Sequence, residues 1–319
     1  MILLIQILTG LTLLFLGGES LVRGAVKLAQ KFNIPRLIIG ITVVAYGTSS
    51  PELLITLQAS LKNLNDIALG NVIGSNIANI FLVLGLVALL NPIIVEKKLI
   101  GFDLNYMIVT SFILFAFILT GELNFMEGVI FILILLVYTI STYKRHQSNQ
   151  GKDIMAEQVN EIEEQFFFLN LTNKLALILV ITGVLMLSLG GHLLVKGASD
   201  LALNLGISEA AIAVTIVAIG GSAPELATSI IAAYRKHSDL AIGNVIGSNI
   251  FNILGVLGIS SLISPLATNS SLAIFDIWVL LFATLLLSHY VNKKKAITFF
   301  NGITFLFFYL LYIIWQFIF

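Results

Sequence analysis

The sequence predicts an all-α integral membrane protein, ten transmembrane helices arranged as two inverted five-helix repeats, and three observations predict it. Of the 319 residues, 58% are hydrophobic and only 11% are charged, a balance foreign to soluble domains. Apolar runs of about 20 residues, the length that crosses roughly 30 Å of hydrocarbon, recur along almost the whole chain. The segment GNVIGSNI occurs twice, Gly70 to Ile77 and Gly243 to Ile250, at an offset of 173 (243 − 70).

The first run, roughly 2–26, starts at Met1 without a charged leader or a small-residue cleavage site, so it reads as a retained helix. The second, roughly 37–61, carries GTSSPEL at its centre, and the third, roughly 68–90, carries the first GNVIGSNI. Runs at roughly 103–120 and 124–143 complete the half. Residues 146–172 form the only substantial polar stretch, with Asp153, Glu157, Glu161, Glu163 and Glu164, and read as a solvated linker. The order then repeats at roughly 173–200, 208–233 (with GGSAPEL), 239–263, 270–289 and 296–318. The offset of 173 holds without a gap from Gly10 and Gly183 to Pro92 and Pro265, and at 174 it pairs Gly128 with Gly302 and Tyr138 with Tyr312. Positions so related are called repeat mates below. Five helices is an odd number, so the second half enters the membrane upside down, the plan of secondary transporters with a site at the midplane. The divisions are 1–145, a linker at 146–172, and 173–319.

Of the 17 Lys and Arg, all but Lys62 and Lys196 fall on one side of this topology. That side should be cytoplasmic, the chain should sit in the cell membrane, and both termini should face outward. A net charge of zero leaves no basic excess for nucleic acid, and zero cysteines exclude disulfide and thiol chemistry.

In GTSSPEL (Gly47 to Leu53) and GGSAPEL (Gly220 to Leu226), proline breaks a membrane helix. Pro51 cannot donate to the Gly47 carbonyl, nor Pro224 to that of Gly220, and broken backbone at membrane depth should line a cavity. Thr48, Ser49 and Ser222 add hydroxyls there, and Glu52 and Glu225 add the only carboxylates placed deep in the bilayer. Each ionised carboxylate costs about 3 kcal/mol at a helix centre, and no Lys or Arg lies at comparable depth, so a bound cation is the natural partner. On the following helices Asn71, Ser75 and Asn79 match Asn244, Ser248 and Asn252 at spacings of four along one face. Helix packing is the competing reading of that stripe, since Gly70 and Gly74 form a small-xxx-small pair. A ligand set of oxygens alone selects Ca²⁺ and Na⁺ over zinc or copper, and none of His146, His192, His237 and His289 falls in these motifs. Glu19 and its mate His192 are expected near helix ends in interfacial or paired roles, with Arg23 and Lys196 one turn away; Trp278 and Trp315 should face lipid or pack.

The paired motifs GTSSPEL with GNVIGSNIAN and GGSAPEL with GNVIGSNIFN resemble the two alpha-repeats of the sodium/calcium exchanger family, within the cation/calcium antiporter group, and the five-plus-five plan matches over essentially the whole chain. The resemblance implies that Glu52 and Glu225 ligate Ca²⁺ with backbone carbonyls near Thr48 and Gly221. It implies that Na⁺ uses the same carboxylates, with Ala45, Thr48, Ser49 and Ser75 in one half and Ala218, Ser222 and Ser248 in the other, Asn79 and Asn252 completing the centre. It further implies that the first and sixth helices slide against the rest, close contact being provided by Gly17-Gly18 and Gly190-Gly191. Two departures stand out. Gly221 lies where the first repeat and most of the family have a hydroxyl, and Asn252 lies where the potassium-dependent branch commonly has Asp.

The expected function is alternating-access exchange of Na⁺ for Ca²⁺, electrogenic, by a monomer that binds the two ions as cargo and holds no resident cofactor. Proton coupling on the same scaffold is the alternative. A channel would be assembled around a pore axis, which an inverted repeat does not build. A membrane enzyme using Glu52 and Glu225 as acid and base lacks both a nucleophile–base pair and a His/Cys metal set.

Overall fold

The computed structural model describes residues 2–32, 34–94, 97–147, 172–205, 218–268, 271–294 and 296–318. Residues 148–171 of the expected linker and 208–217 of the expected seventh span lie outside the described residues. The first half contains α1 (Ile2–Phe32), the broken pair α2 (Arg36–Thr48) and α3 (Ser50–Leu61), α4 (Asn65–Leu90), α5 (Lys97–Ile118) and α6 (Phe125–Gln147). The second contains α7 (Asn173–Asn204), α8 (Ala218–Gly221), α9 (Ala223–Tyr234), α10 (Ser238–Ile263), α11 (Ser271–Lys294) and α12 (Phe299–Ile318). Among the described residues eight helices are long and apolar enough to cross a membrane, and nine if α2 and α3, bent by 42°, are one span.

The longest helices, α1 with 31 residues and α7 with 32, form an antiparallel pair. At 1.5 Å per residue each is about 46 Å long, more than the hydrocarbon thickness, so the pair must tilt or protrude. Both helices outrun the sequence expectation, which places Glu19 halfway along α1 and not near its end. Apolar side chains gain nothing by leaving lipid for one another, so membrane helices associate where backbones can touch. Glycine every seventh residue provides that seam. A Cβ on Gly10 would lie 2.7 Å from Leu194 N, one on Gly17 2.9 Å from Leu187 N, and one on Gly183 2.7 Å from Leu21 N.

The other close approaches follow the repeat. Gly85 meets Gly302 where α4 packs on α12, and their mates Gly258 and Gly128 meet where α10 packs on α6. The small-xxx-small reading of Gly70 and Gly74 fails in this half, since a Cβ on Gly70 meets nothing within 4 Å. Their mates Gly243 and Gly247 do make the contact, against the backbone of Leu37 and Ile41 in α2. The α3–α4 and α9–α10 turns close alike: Leu64 N donates to Ala59 O and His237 N to Ala232 O, each over a left-handed residue, Asn63 (φ 58°) and Lys236 (φ 60°). Two short antiparallel ladders, Ile93–Ile94 with Ala296–Ile297 and Glu122–Leu123 with Leu266–Ala267, tie loops across the halves and are mates of each other.

Polar groups bind the periphery. Tyr138 donates to Asp103 (2.9 Å), joining α5 to α6, and Gln316 donates to Asp276 (2.6 Å), joining α11 to α12. Arg36, at the start of α2, bonds Asp239 (3.1 Å) and His237 (2.9 Å). Burial and the neighbouring guanidiniums of Arg36 and Arg235 push the His237 pKa down to about 3, which leaves a neutral imidazole able to accept from Arg36. Trp278 and Trp315 are exposed; Trp278 meets Phe115 edge to face and Trp315 stacks on Phe275.

Gly17→Val should destabilise the α1–α7 seam by about 1–3 kcal/mol, read as a lower midpoint of thermal unfolding in detergent, whereas Gly70→Ala should not lower it.

Candidate cation site

The breaks place the two glutamates. Ser49 (φ −85°, ψ 8°) and Ser222 (φ −88°, ψ 12°) leave helical geometry in the same way, and α3 and α9 restart immediately with Pro51 and Pro224 in their first turns, where the missing N–H costs nothing. Glu52 and Glu225 then fall in the first turn of a helix, where the positive end of its dipole favours a carboxylate. Both are fully buried. One sequence expectation needs correction. The Gly47 carbonyl freed by Pro51 is taken by the Ser50 hydroxyl at 2.7 Å, so it is not spare. Its mate at Gly220 has no such cap, because Ala223 stands where Ser50 does.

The two breaks face each other, since Ser49 donates to Glu225 Oε1 at 3.0 Å. Thr48 donates to the Ala45 carbonyl and to Asn244 Oδ1, both at 3.2 Å, and Ser248 reaches the same Ala45 carbonyl at 3.5 Å. Asn71 holds the Glu52 carbonyl (3.2 Å) and Thr56 (2.9 Å), and Ser75 donates back to Asn71 O (2.6 Å). A Cβ on Gly221 would lie 3.9 Å from Asn71 Oδ1 and 4.0 Å from Ser75 Oγ. Thr48, Ala45, Ser49, Glu225 and Ser248 are therefore linked directly, with Gly221 beside Ser75. The side chain of Ala218 lies outside the described residues.

The asparagines form a clamp that the sequence reading missed in part. Asn76 Nδ2 donates to Asn249 O and Asn249 Nδ2 to Asn76 O, each at 3.2 Å. The remaining oxygens of those side chains accept from Asn79 and Asn252, each at 3.1 Å. The clamp engages the amide nitrogens of Asn79 and Asn252 and leaves Asn79 Oδ1 and Asn252 Oδ1 without a partner among the described residues. A π-helical stretch opens on each of these two residues, at Asn79–Val83 and Asn252–Leu257, a distortion that is frequent at functional sites. Asn76 and Asn249 stand inside the repeated GNVIGSNI, so exact repetition was the available signal; the spacing of four passed them over.

What remains is a set of acceptors. Among the described residues, Glu52 Oε1 and Oε2, Glu225 Oε2, Asn79 Oδ1, Asn252 Oδ1 and Ser222 Oγ are buried without a hydrogen-bond partner. Buried polar atoms are rarely left so, and these share one deficiency, the want of a positive partner. Neither glutamate makes an ion pair with Lys or Arg among the described residues. Among the same residues no three His, Cys, Asp or Glu cluster, so a transition-metal centre has no ligand set, while carboxylate, amide and hydroxyl oxygens suit a hard cation.

The chain matches a family model described as sodium/calcium exchanger protein over residues 2–144 and 175–318. It is 36% identical to the inner membrane protein YrbG of Escherichia coli over 81% of this chain and 79% of that protein. It is 28% identical to the sodium/calcium exchanger MaX1 of Methanosarcina acetivorans over 97% and 96%. Its fold is similar to the sodium-calcium exchanger NCX_Mj in a structure soaked with Na⁺ and Ca²⁺, with a TM-score of 0.81 and 34% identity over 98% of this chain and 97% of that one. The family is one of transporters and not enzymes, and this chain is a multi-pass membrane protein. With both halves of the chain matched and the paired glutamate breaks in place, this protein belongs to the sodium/calcium exchanger family.

Proposed function

We propose that this protein is a secondary antiporter that exchanges Na⁺ for Ca²⁺ at the Glu52–Glu225 site by alternating access. The observation that carries the reading is the set of buried, unpartnered acceptor oxygens. Two carboxylates balance one Ca²⁺, and the amide and hydroxyl oxygens complete its shell. Na⁺ fits the same oxygens, but more than two Na⁺ exceed the two negative charges, so exchange against more than two is electrogenic and responds to voltage at about 2.3 kcal/mol per charge per 100 mV. The names of MaX1 and NCX_Mj, both called sodium/calcium exchangers, support the same pair of ions.

The scaffold for this function is ten spans in two inverted halves, 1–145 and 173–319, joined by a cytoplasmic linker at 146–172, in the cell membrane with both termini outside. Reciprocal contacts support a two-fold relation: Asn76 with Asn249, Gly10–Gly190 with Gly17–Gly183, and Ser60 Oγ to Ser264 O (3.3 Å) with Ser264 Oγ to Ser60 O (3.3 Å). Asn79 and Asn252 supply neutral oxygens between the carboxylates, and Thr48, Ser49, Ser75, Ser222 and Ser248 with the Ala45 and Ala218 carbonyls provide Na⁺ positions on either flank. One chain contains the whole site, so a monomer suffices.

In proteoliposomes preloaded with Na⁺, ⁴⁵Ca²⁺ uptake should exceed that with internal K⁺ or choline, and Glu52→Gln should reduce it by about 100-fold or more, the loss that follows when one partner of a buried charge pair is removed. Uptake that ignores Na⁺ and follows a pH gradient would replace this reading by proton coupling. Gly221→Thr should restore the hydroxyl that Thr48 supplies in the other half, bonding Asn71 as Thr48 bonds Asn244. One added hydroxyl ligand, about 1 kcal/mol, should raise the apparent Na⁺ affinity about fivefold, read from Na⁺ inhibition of ⁴⁵Ca²⁺ uptake.

A further inference from the structure

The α1–α7 pair does not stand midway between the two breaks. It lies along α9, where a Cβ on Gly18 would meet Ile231 Cδ1 at 2.6 Å and Gly191 faces Pro224 at 3.7 Å. On the other side α3 stands away from the pair. Leu54 and Ile55 on α3 are 59% and 42% exposed, and Gln58 is exposed; their mates on α9 are the half-buried Ala227, the buried Thr228 and Ile231, which is 7% exposed. An inverted repeat alternates access by rocking one bundle against the other around a fixed site, so that its two halves exchange environments. The contact with α9 is therefore one that must break. Beside the contact lies an open apolar groove of about 500 Å³ lined by Phe15, Leu194, Ala223 and Ile230 among others.

Apolar contact of this kind has no preferred side, but the charges at its edge do. Glu19 of α1 accepts from Arg23 one turn on (2.5 Å), and both its oxygens are taken by Arg235 from the loop after α9, through Nε at 3.2 Å and through Nη2. Of the ion pairs among the described residues, Glu19–Arg235 is the one that joins the long pair to the rest of the molecule. The repeat carries Glu19 to His192, Arg23 to Lys196 and Arg235 to Lys62. On the far side all three positions are basic, and among the described residues neither His192 nor Lys62 makes an ion pair.

We propose that Glu19 and Arg235 form a one-sided latch: they hold the α1–α7 pair against α9 and close the Arg235 side of the site, while closure of the opposite side has no attractive counterpart among the described residues, so the resting carrier opens away from Arg235. Glu19 and Arg235 are positioning residues, acting on access and not on the ion. The proposal rests on the alternating-access reading above, and a readout of access that needs no coupling ion separates the two.

The chain has no cysteine, so single reporters can be introduced at Ile231→Cys, under Gly18, and at its exposed mate Gln58→Cys. Their reaction rates with a water-soluble maleimide would be measured in nanodiscs, where both faces are reachable. Glu19→Gln should speed labelling at Ile231→Cys and slow it at Gln58→Cys, changing the ratio about three- to fivefold, the worth of a partly exposed ion pair. Arg235→Gln should do the same without adding to Glu19→Gln. His192→Glu, which gives Lys62 and Lys196 an acidic partner, should move the ratio in the same sense by building the missing latch on the other side. General loosening would raise both rates, and that result overturns the proposal. So would reporters that answer Ca²⁺ in opposite senses yet ignore both Glu19→Gln and His192→Glu. Loss of Na⁺ dependence in the flux assay would leave these rates unchanged and would count only against the choice of coupling ion.

Discussion

Everything in this molecule is arranged around two fully buried carboxylates that pair with no Lys or Arg among the described residues. An ionised carboxylate in a membrane interior is tolerable only when something positive sits beside it. Glu52 and Glu225 have hydroxyls, amides and helix N-termini near them and, among the described residues, no Lys or Arg in ion-pair contact. A structural ion pair would have locked such a site permanently. A cation that arrives and leaves satisfies it only while bound, and this incompleteness is what a carrier needs.

The surrounding polar groups serve that end by being satisfied elsewhere. The asparagine clamp commits the Nδ2 group of each of Asn76, Asn249, Asn79 and Asn252 to one bond across to the opposing repeat, which leaves Asn79 Oδ1 and Asn252 Oδ1 buried without a partner among the described residues. Ser50 takes the carbonyl freed by Pro51, and Asn71 takes that of Glu52, so the broken backbone is held rigid. The central helices α4 and α10 are the most buried of the candidate spans, and their oxygens are fixed by packing on all sides. The glycine seam of α1 and α7, by contrast, joins those two helices closely to each other and less closely to the rest, which is the division of stiffness that rigid-body motion requires.

Departures from two-fold repetition carry as much information as the repetition itself. Gly221 opposite Thr48, Ala223 opposite Ser50, and the basic trio His192, Lys196 and Lys62 opposite Glu19, Arg23 and Arg235 make the halves chemically unequal on a symmetrical frame. A strictly symmetrical carrier would have equal resting populations of its two states. Unequal residues at mated positions shift that balance, and those beside the ion can also make its coordination shell lopsided.

The sequence by itself determined the class of structure and picked out the two proline-broken segments that the structure brings together. Bilayer thickness imposes a length on every apolar run, proline cannot complete a helix, and a repeated GNVIGSNI cannot arise from composition alone, so the membrane-spanning class, the breaks and the paired glutamates were legible in the sequence. Helix ends were not, because Lys27 and Lys31 can continue α1 while extending their charges to water, and charge alone therefore misplaced Glu19 near an end. Tertiary structure alone decided which oxygens are free. Whether the Gly47 carbonyl is spare depends on the rotamer of Ser50 three residues on, whereas whether Asn76 or Asn71 meets the opposing repeat and whether Glu19 meets Arg235 depend on which surfaces of distant helices come within hydrogen-bond reach, and one-dimensional spacing contains no distance between segments more than 150 residues apart.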